Sequence, residues 1–210
     1  MSYGQNQPWG LMAIKTTTGA PWNGQTNNYL IQSGYANNIF KGDLVYLGAD
    51  GYIHNLSDLG PGYQNAQAIG VFNGCSFQTT TAQNPIDPAS PGRPYWPAGM
   101  QTFNNLDAVA QIIDDPNVIF NIQSDAGGVP FNAQGATAAV AYTAAPNPTG
   151  NTNTGASNMV LNTATINMTA TLNLRILRFV PQPGNIPGIP YNNVEVLIQN
   201  HSFMQRPAGL

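Results

Sequence analysis

Short runs of apolar residues, bounded by Gly, Pro, Asn and Asp, set the pattern of this chain. Helical periodicity, with apolar residues at i, i+3, i+4 and i+7, is almost absent. Strands are predicted at residues 43–47, 52–53, 68–77, 108–113, 118–123, 136–142, 159–161, 164–168, 172–180 and 194–199. Many short strands separated by turn residues predict a mainly β fold, either a β-sandwich (a jelly roll among the options) or a small β-barrel.

Two of these runs carry further information. Asp50 and Gly51 stand between two apolar runs, and an Asp-Gly step in that position predicts a β-hairpin, because Gly tolerates positive φ. Residues 118–123 (VIFNIQ) are too apolar for a half-exposed strand. They predict a central strand with both faces covered.

The first 34 residues lack a strand pattern. They hold Trp9, Trp22 and Tyr29 among Asn, Gly and Thr. Because a disordered tail rarely contains two tryptophans, this stretch predicts an extended N-terminal arm that buries its aromatic rings against another surface. Removal of residues 1–34 should then leave the rest of the chain folded.

The remaining residues, 35–210, are predicted to form a single β domain. Two long loops interrupt it. Residues 78–105 are rich in proline, and residues 143–158 (TAAPNPTGNTNTGASN) form a low-complexity segment that we expect to face solvent.

Charged side chains are scarce. They make up 7% of the 210 residues, against about 25% in ordinary globular proteins. Asn, Gln, Thr and Ser replace them, so we expect a folded, loop-rich protein with a neutral polar surface. Such a surface suits a protein that packs against other proteins, since burying a charge is costly.

The net charge and the remaining composition exclude several classes of partner. A net charge of −3 without a basic patch argues against direct nucleic-acid binding. No apolar run reaches the ~18 residues of a membrane span, and the N-terminus lacks the features of a secretory signal. The single cysteine, Cys75, cannot form an intramolecular disulfide. We therefore expect synthesis and assembly in the cytoplasm, with no membrane partner.

Catalytic motifs are missing from the sequence. GxSxG, GxxxxGK[ST], GxGxxG and the EF-hand spacing do not occur. His54 and His201 stand at positions that favour turn or strand-end roles over acid–base catalysis. Cys75 lies inside the apolar run VFNGCSF and is expected to be a buried small hydrophobic residue. A Ser–His–Asp triad built from distant residues stays open, but the sequence predicts a protein that is not an enzyme and implies no cofactor.

The most acidic stretch is DDPNVIFNIQSD, with Asp114, Asp115 and Asp125. Asp-Asp-Pro-Asn is favourable turn chemistry, because Asp side chains accept hydrogen bonds from the backbone two residues on and Pro fixes φ. A weaker alternative is a calcium site, if the three carboxylates meet in space. The favoured hypothesis is a turn that leads into the central strand.

The loop Arg93-Pro94-Tyr95-Trp96-Pro97 is the other conspicuous feature. Tyr and Trp next to proline offer large, stiff contact surfaces. Three interpretations remain: Trp96 folds into the protein's own core, the loop contacts a partner protein, or it binds a ligand such as a carbohydrate. Arg93, Tyr95 and Trp96, together with Trp9, Trp22 and Tyr29, are therefore the candidate contact residues.

Several stretches, in this order, resemble the capsid cement or decoration proteins of tailed bacteriophages. They are GLMAIKTTTGAPWNGQTNNYLI (10–31), IFKGDLVYLGADGYI (39–53), AIGVFNGCSF (68–77), RPYWPAG (93–99), VAQIIDDPNVIFNIQSD (109–125), NLRILRFVPQPGN (173–185) and VEVLIQNHSF (194–203). Each motif is weak alone, but the series covers most of the chain. Residues 143–158 match none of these motifs.

The resemblance implies a non-enzymatic virion protein on the outside of the capsid. Its partners would be the major capsid protein and copies of itself, with a trimer favoured over a dimer. A carbohydrate-binding β module of a phage tail or fibre is the alternative function. A third hypothesis is a polysaccharide hydrolase that uses Asp114 or Asp115, and it predicts turnover that Asp→Asn abolishes.

Overall fold

The computed structural model describes residues 4–79, 92–142 and 150–205. In chain order the strands are β1 (Met12–Thr16), β2 (Asn27–Ile31), β3 (Ile39–Phe40), β4 (Leu44–Leu47), β5 (Ile53–Asn55), β6 (Gly70–Ser76), β7 (Tyr95–Trp96), β8 (Ala108–Ile113), β9 (Val118–Gln123), β10 (Thr137–Ala141), β11 (Gly150–Asn151), β12 (Ala156–Ser157), β13 (Val160–Asn167), β14 (Leu174–Phe179), β15 (Asn193–Ile198), β16 (Asn200–His201) and β17 (Met204–Gln205). Short 3-10 helices span Leu56–Asn65, Phe103–Asn105 and Phe131–Ala133.

Two antiparallel sheets form a β-sandwich. The six-stranded sheet has the order β1-β9-β15-β14-β10-β13, and the five-stranded sheet has the order β2-β8-β6-β4-β5. Both sheets keep open edges in the described part of the chain, so they do not close into a barrel. The pairs β3-β7, β11-β12 and β16-β17 are small additions.

The main core lies between the two sheets. Side chains from both sheets fill it, among them Phe120, Ile122, Val196, Leu44, Val71 and Ile113. Strand β9 is buried along its whole length and pairs with β1 on one side and β15 on the other. The prediction of a covered central strand is therefore confirmed.

A second core covers the other face of the five-stranded sheet. On β6, Val71 belongs to the main core and its neighbour Phe72 to the second, as strand alternation requires. Residues from 31–40 and 92–102 close over this face, including Ile39 and Trp96. The long loop predicted at 78–105 thus supplies part of a core. Its residues 80–91 lie outside the described residues.

The predicted N-terminal arm is part of the sandwich. Strand β1 pairs with β9 at the edge of one sheet, and β2 pairs with β8 at the edge of the other. Leu11 and Ile31 are 3% and 0% exposed. The prediction of a separate arm is wrong for these residues. Edge strands with one polar face contain few apolar residues, and this weakens the pattern by which strands are recognised.

The predicted strands and the hairpin are confirmed with small shifts of their ends. Runs 159–161 and 164–168 merge into one strand, β13. The hairpin between β4 and β5 turns at Gly51, with φ of 84°, and pairs Leu47 with Ile53. The loop predicted at 143–158 carries β11 and β12, and its residues 143–149 lie outside the described residues.

Buried amides hold the loops to the sheets. Asn192 accepts a hydrogen bond from the Val129 N–H at 3.0 Å and donates to the Val129 carbonyl at 2.9 Å. Asn173, fully buried, donates to the carbonyls of Tyr63 and Ala66. Part of the large Asn content therefore satisfies buried backbone groups instead of forming a neutral surface.

Candidate functional site

Trp9 and Trp22, two of the predicted contact residues, line one apolar pocket of about 260 Å³. The pocket lies between β1 and β6, and its wall is mostly aliphatic and aromatic. The other lining residues include Leu11, Met12, Ala13, Val71, Phe72 and Ile113, with Lys41 as the charged member. Met12 is 48% exposed. The pocket is therefore an apolar depression on the surface next to the main core.

Two glycines place Trp9 in this pocket. Gly10 and Gly42 both have positive φ, at 71° and 96°. A Cβ on Gly10 would lie 2.6 Å from the Gly42 carbonyl oxygen, and a Cβ on Gly42 would lie 2.5 Å from the Trp9 carbonyl oxygen. The Leu11 N–H donates to the Gly42 carbonyl at 2.9 Å. The two backbones cross at a distance that only glycine allows.

Trp22 reaches the pocket through a hairpin that follows β1. The Thr16 N–H donates to the Ala20 carbonyl at 2.9 Å, and the Trp22 N–H donates to the Ile14 carbonyl at 3.2 Å. The indole packs against the main core while it remains partly exposed. Its position is therefore fixed by the same strand that presents Met12.

A buried carboxyl group supports the far wall of the pocket. Asp43, next to Gly42, is 0% exposed and accepts hydrogen bonds from the Phe40 N–H, the Asn55 side chain and the Ser157 hydroxyl. Burial raises the pKa of Asp43 to about 7, although the three donors act in the opposite direction. This carboxyl group fixes the turn that carries Gly42.

A second pocket, of about 330 Å³, lies on the other side of Trp9 and is polar. The amides that line it come from the N-terminal segment, from β9, from the 182–192 loop and from the start of β15: Gln5, Gln7, Gln123, Gln182, Asn185, Asn192 and Asn193. Trp9 and Tyr191 are the aromatic residues in its wall. We call it the amide pocket, and the first one the apolar pocket.

The N-terminal segment separates the amide pocket from a third depression of about 490 Å³. Gln5, Gln7 and Trp9 line the amide pocket, whereas Asn6 and Pro8 line the third depression. This alternation is that of an extended chain. The segment therefore has an extended course between the two depressions, and the Gln123 side chain holds it there.

The three acidic residues of the predicted cluster have separate partners. Asp114 accepts hydrogen bonds from the side chains of Asn27 (2.9 Å) and Tyr29 (2.7 Å). Burial, followed by the Asp114 carboxylate, raises the pKa of the Tyr29 hydroxyl well above its usual range. Tyr29 is thus occupied within the domain and is not among the residues that line either pocket.

Asp115 and Asp125 make turns at opposite ends of β9. The Asp115 carboxylate accepts from the Asn117 N–H at 2.8 Å, which confirms the predicted turn. Asp125 accepts from the Gly127 N–H at 2.9 Å and from the Thr163 N–H at 3.0 Å. Within the described residues no group of three acidic, His or Cys side chains could hold a metal ion. The calcium alternative has no site in this part of the chain.

The aromatic loop folds into the second core, as the first of its three interpretations stated. Trp96 is 0% exposed, packs edge-on against Phe77 at 5.0 Å, and donates from Nε1 to the Tyr35 carbonyl at 3.2 Å. Tyr95 stacks on Phe40 at 5.2 Å, and the Arg93 guanidinium lies 4.9 Å from the Phe77 ring centre. Trp96 is therefore excluded as a contact residue for a partner protein, because its whole surface is already buried.

Cys75, His54 and His201, the other residues considered for catalysis, pack or hydrogen-bond within the fold. Cys75 is buried and its pKa is raised to about 12 by burial, so the thiol stays protonated. His54 contacts the Asp50 carboxylate at 3.0 Å in the hairpin. His201 is buried at the end of β16. No helix among the described residues has the length and apolar character that a membrane crossing requires.

Comparison of the chain with protein-family models, with curated proteins and with solved structures gave no match. The two pockets are therefore interpreted from their own residues alone, without a related protein as a guide. Sequence reasoning missed Met12, Gln123, Tyr191 and Asn193. Their positions depend on pairings between distant parts of the chain, such as Met12 with Asn121. The local sequence signal for the apolar pocket was the glycine in each of the motifs PWG (8–10) and FKGD (40–43), because Gly10 and Gly42 lie against each other.

Proposed function

We propose that this protein is a non-enzymatic virion structural protein. It binds the outer surface of a phage capsid and cements neighbouring copies of the major capsid protein, so that the DNA-filled head is stabilised. The series of motifs that resembles capsid cement proteins and the low charge content support this function. The observation that carries it is the apolar pocket, which brings Trp9 and Trp22 together beside the exposed Met12.

In the proposed complex an apolar side chain of the major capsid protein enters the apolar pocket. Complete burial of a Leu, Ile or Phe side chain is worth about 1.5–3 kcal/mol. Tryptophans at the centre of an interface commonly contribute most of the binding energy. Lys41, the charged lining residue, can pair with a carboxylate at the rim of the partner's contact patch.

Modest affinity at each pocket is sufficient if the protein binds as an oligomer. Two or three linked copies convert later contacts into intramolecular ones, which raises the overall affinity without new contacts. We propose a homo-oligomer, a trimer before a dimer, because a trimer matches local three-fold positions of an icosahedral shell. Its location would be the capsid exterior, after assembly in the host cytoplasm.

The test is binding to purified empty heads. We expect stoichiometric binding in sedimentation and a higher temperature of head rupture in the presence of the protein. Absence of binding to heads, together with retention on host polysaccharide, would contradict the proposed function.

Variants of the apolar pocket locate the contact. We expect Trp22→Ala and Met12→Gln each to weaken head binding by about tenfold or more, the loss of an interface anchor. Leu106→Gln is the matched control, because Leu106 is 60% exposed and lies outside the pocket. Thermal unfolding confirms that each variant is folded. Equal binding by all three variants would remove the pocket from the proposal.

A further inference from the structure

We propose that the amide pocket is a second binding site, which takes a pyranose ring of a neutral saccharide. The site does not overlap the proposed capsid contact, apart from the shared wall at Trp9. Its volume of about 330 Å³ falls in the range of small-molecule sites. The proposal goes beyond capsid binding, and either function can fail without the other.

The walls of the amide pocket are fixed in advance. Gln123 accepts from the Gln7 N–H and donates to the Gln5 carbonyl, both at 3.0 Å, so one amide holds the N-terminal segment. Asn185 donates to the Asn193 carbonyl and accepts from the Asn193 N–H, both at 2.7 Å. These amides are used by the backbone, and a ligand would meet a preorganised frame.

Trp9 and Asn193, which both line the pocket, differ from these amides in their hydrogen bonding. Trp9 Nε1 and Asn193 Oδ1 are buried and have no hydrogen-bond partner within residues 4–79, 92–142 and 150–205. Asn193 is 9% exposed. Leaving such an atom unpaired is unfavourable, so a partner is expected. A donor on Trp9 and an acceptor on Asn193 are both groups that saccharide hydroxyls can pair with, since a hydroxyl donates and accepts.

The chemistry of the other lining residues selects a neutral, amphipathic ligand. No Asp, Glu, Lys, Arg or His is among the described residues that line the pocket, so nothing there would balance the charge of an ion. Tyr191, Ile189 and Pro190 supply an apolar part of the wall. A pyranose ring has hydroxyls around its edge and C–H groups on its faces, which match these two parts of the wall.

Tyr191 is held in an unfavourable backbone conformation at this pocket. Its φ is 61°, in the left-handed region that is strained for any residue other than glycine. Its N–H donates to the Asp125 carbonyl at 3.1 Å. Glycine would remove the strain, yet the chain has an aromatic ring there. We therefore expect the Tyr191 ring to make a contact that offsets the backbone strain, and stacking against the face of a sugar ring is such a contact.

The probes for this proposal are methyl glucoside, methyl N-acetylglucosaminide, methyl galactoside and dextran. Galacturonate serves as the charged probe, and N-acetylglycine methylamide as a peptide probe. We expect saturation-transfer NMR signals from at least one neutral saccharide at up to about 10 mM, a range suited to weak single-ring binding. Galacturonate and the peptide probe should give none.

Variants assign the signal to the pocket. We expect Tyr191→Gly to weaken saccharide binding by about tenfold, as the ring contact is lost while backbone strain is relieved. Gln182→Ala should weaken it by about threefold. Gln134→Ala is the matched control, because Gln134 is an exposed amide outside the pocket. All three should keep the thermal midpoint of the parent protein or exceed it.

Three results would overturn the proposal. The first is the absence of a signal from every neutral saccharide, with or without binding of the peptide probe. The second is equal saccharide binding by Tyr191→Gly and Gln134→Ala. The third is a crystal soaked in the saccharides that shows an ordered water only at Trp9 Nε1 and Asn193 Oδ1. None of these results bears on head binding, which Trp22→Ala tests separately.

Discussion

The apolar pocket and the amide pocket share Trp9 but differ in what they leave unsatisfied. The apolar pocket exposes hydrocarbon, including Met12 at 48% exposure, and in the proposed complex it takes an apolar side chain of the partner. The amide pocket contains two buried polar atoms without a partner among the described residues. Apolar contact tolerates many shapes, whereas an unpaired donor and acceptor require hydrogen bonds in fixed directions.

This difference suggests separate roles for the two pockets on a surface with few charges. In the proposed functions, the apolar pocket would supply binding energy in proportion to the area removed from water. The amide pocket would supply selectivity, because a ligand without matching hydroxyls leaves the buried groups unpaired. The pockets can be separated by experiment only if the sandwich that carries both remains folded.

Removal of residues 1–34 should have the largest effect, because it takes away a wall of both pockets and an edge strand of each sheet. We expect no cooperative unfolding transition. Loss of core residues such as Leu11 and Ile31 costs about 2–5 kcal/mol each, against a total stability of about 5–15 kcal/mol. Circular dichroism with thermal melting measures this. Removal of residues 1–8 is the control, which should fold and lose only the amide pocket.

A pH titration should distinguish the two pockets next. The ordinary pKa of an aspartate side chain is 3.8, and burial in the folded protein raises the pKa of Asp43 to about 7. Folding therefore favours the protonated form. The stability that this group contributes is complete below pH 3.8 and is lost as the pH rises to about 7, by a few kcal/mol at most.

Substitution of Asp43 tests whether this residue causes the predicted fall in stability with rising pH. We expect Asp43→Asn to flatten the fall in the free energy of unfolding over this pH range, because an amide does not titrate. Its amide can donate to the Ser157 hydroxyl, which keeps a hydrogen bond at this turn. Asp115→Asn, at an exposed turn, should keep the slope. Because Asp43 adjoins Gly42, head binding should show the same pH trend and saccharide binding should not. An unchanged slope in Asp43→Asn would mean that another group titrates.

Trp9→Phe should affect the amide pocket more than the apolar pocket. The phenyl ring preserves most of the apolar wall, but the Nε1–H is lost. We expect saccharide affinity to fall by about tenfold, the value of one hydrogen bond to a buried group, and head binding to fall by only about threefold, from the smaller ring. Calorimetric titration with dextran and sedimentation with empty heads measure the two. Equal losses of saccharide affinity and head binding would show that Trp9→Phe acts by lowering the stability of the fold.

The strands and turns could be predicted because their signals are local. Short apolar runs next to Gly or Asp turn residues identified β4, β5 and β9 without knowledge of their partners. The N-terminal strands were missed, although Ile31 is buried completely, because polar residues surround it in sequence. Their stability comes from pairing with β9 and β8, about 80–110 residues away, and such pairing leaves little trace in one sequence.

The sites were harder to predict than the strands, because exposure is a property of the fold. Trp9 and Trp96 look alike in sequence, each next to a proline, yet Trp96 is covered on all sides and Trp9 lines two pockets. The role of the amides was hidden for the same reason. Gln123 and Asn193 are cross-strand neighbours, and only that pairing makes a pocket wall from two unremarkable polar residues.

The smallest effect is expected at Asp114, which follows the pocket residue Ile113 but faces Asn27 and Tyr29. The oxygen of an asparagine there can accept from both side chains, so Asp114→Asn should lower the free energy of unfolding by about 1 kcal/mol. Head binding and saccharide binding should stay within about twofold of the parent protein, with or without calcium. A calcium-dependent loss of head binding in Asp114→Asn would show that this carboxylate has a ligand as well as a partner in the fold, and the contact surface would then extend from the apolar pocket to β2.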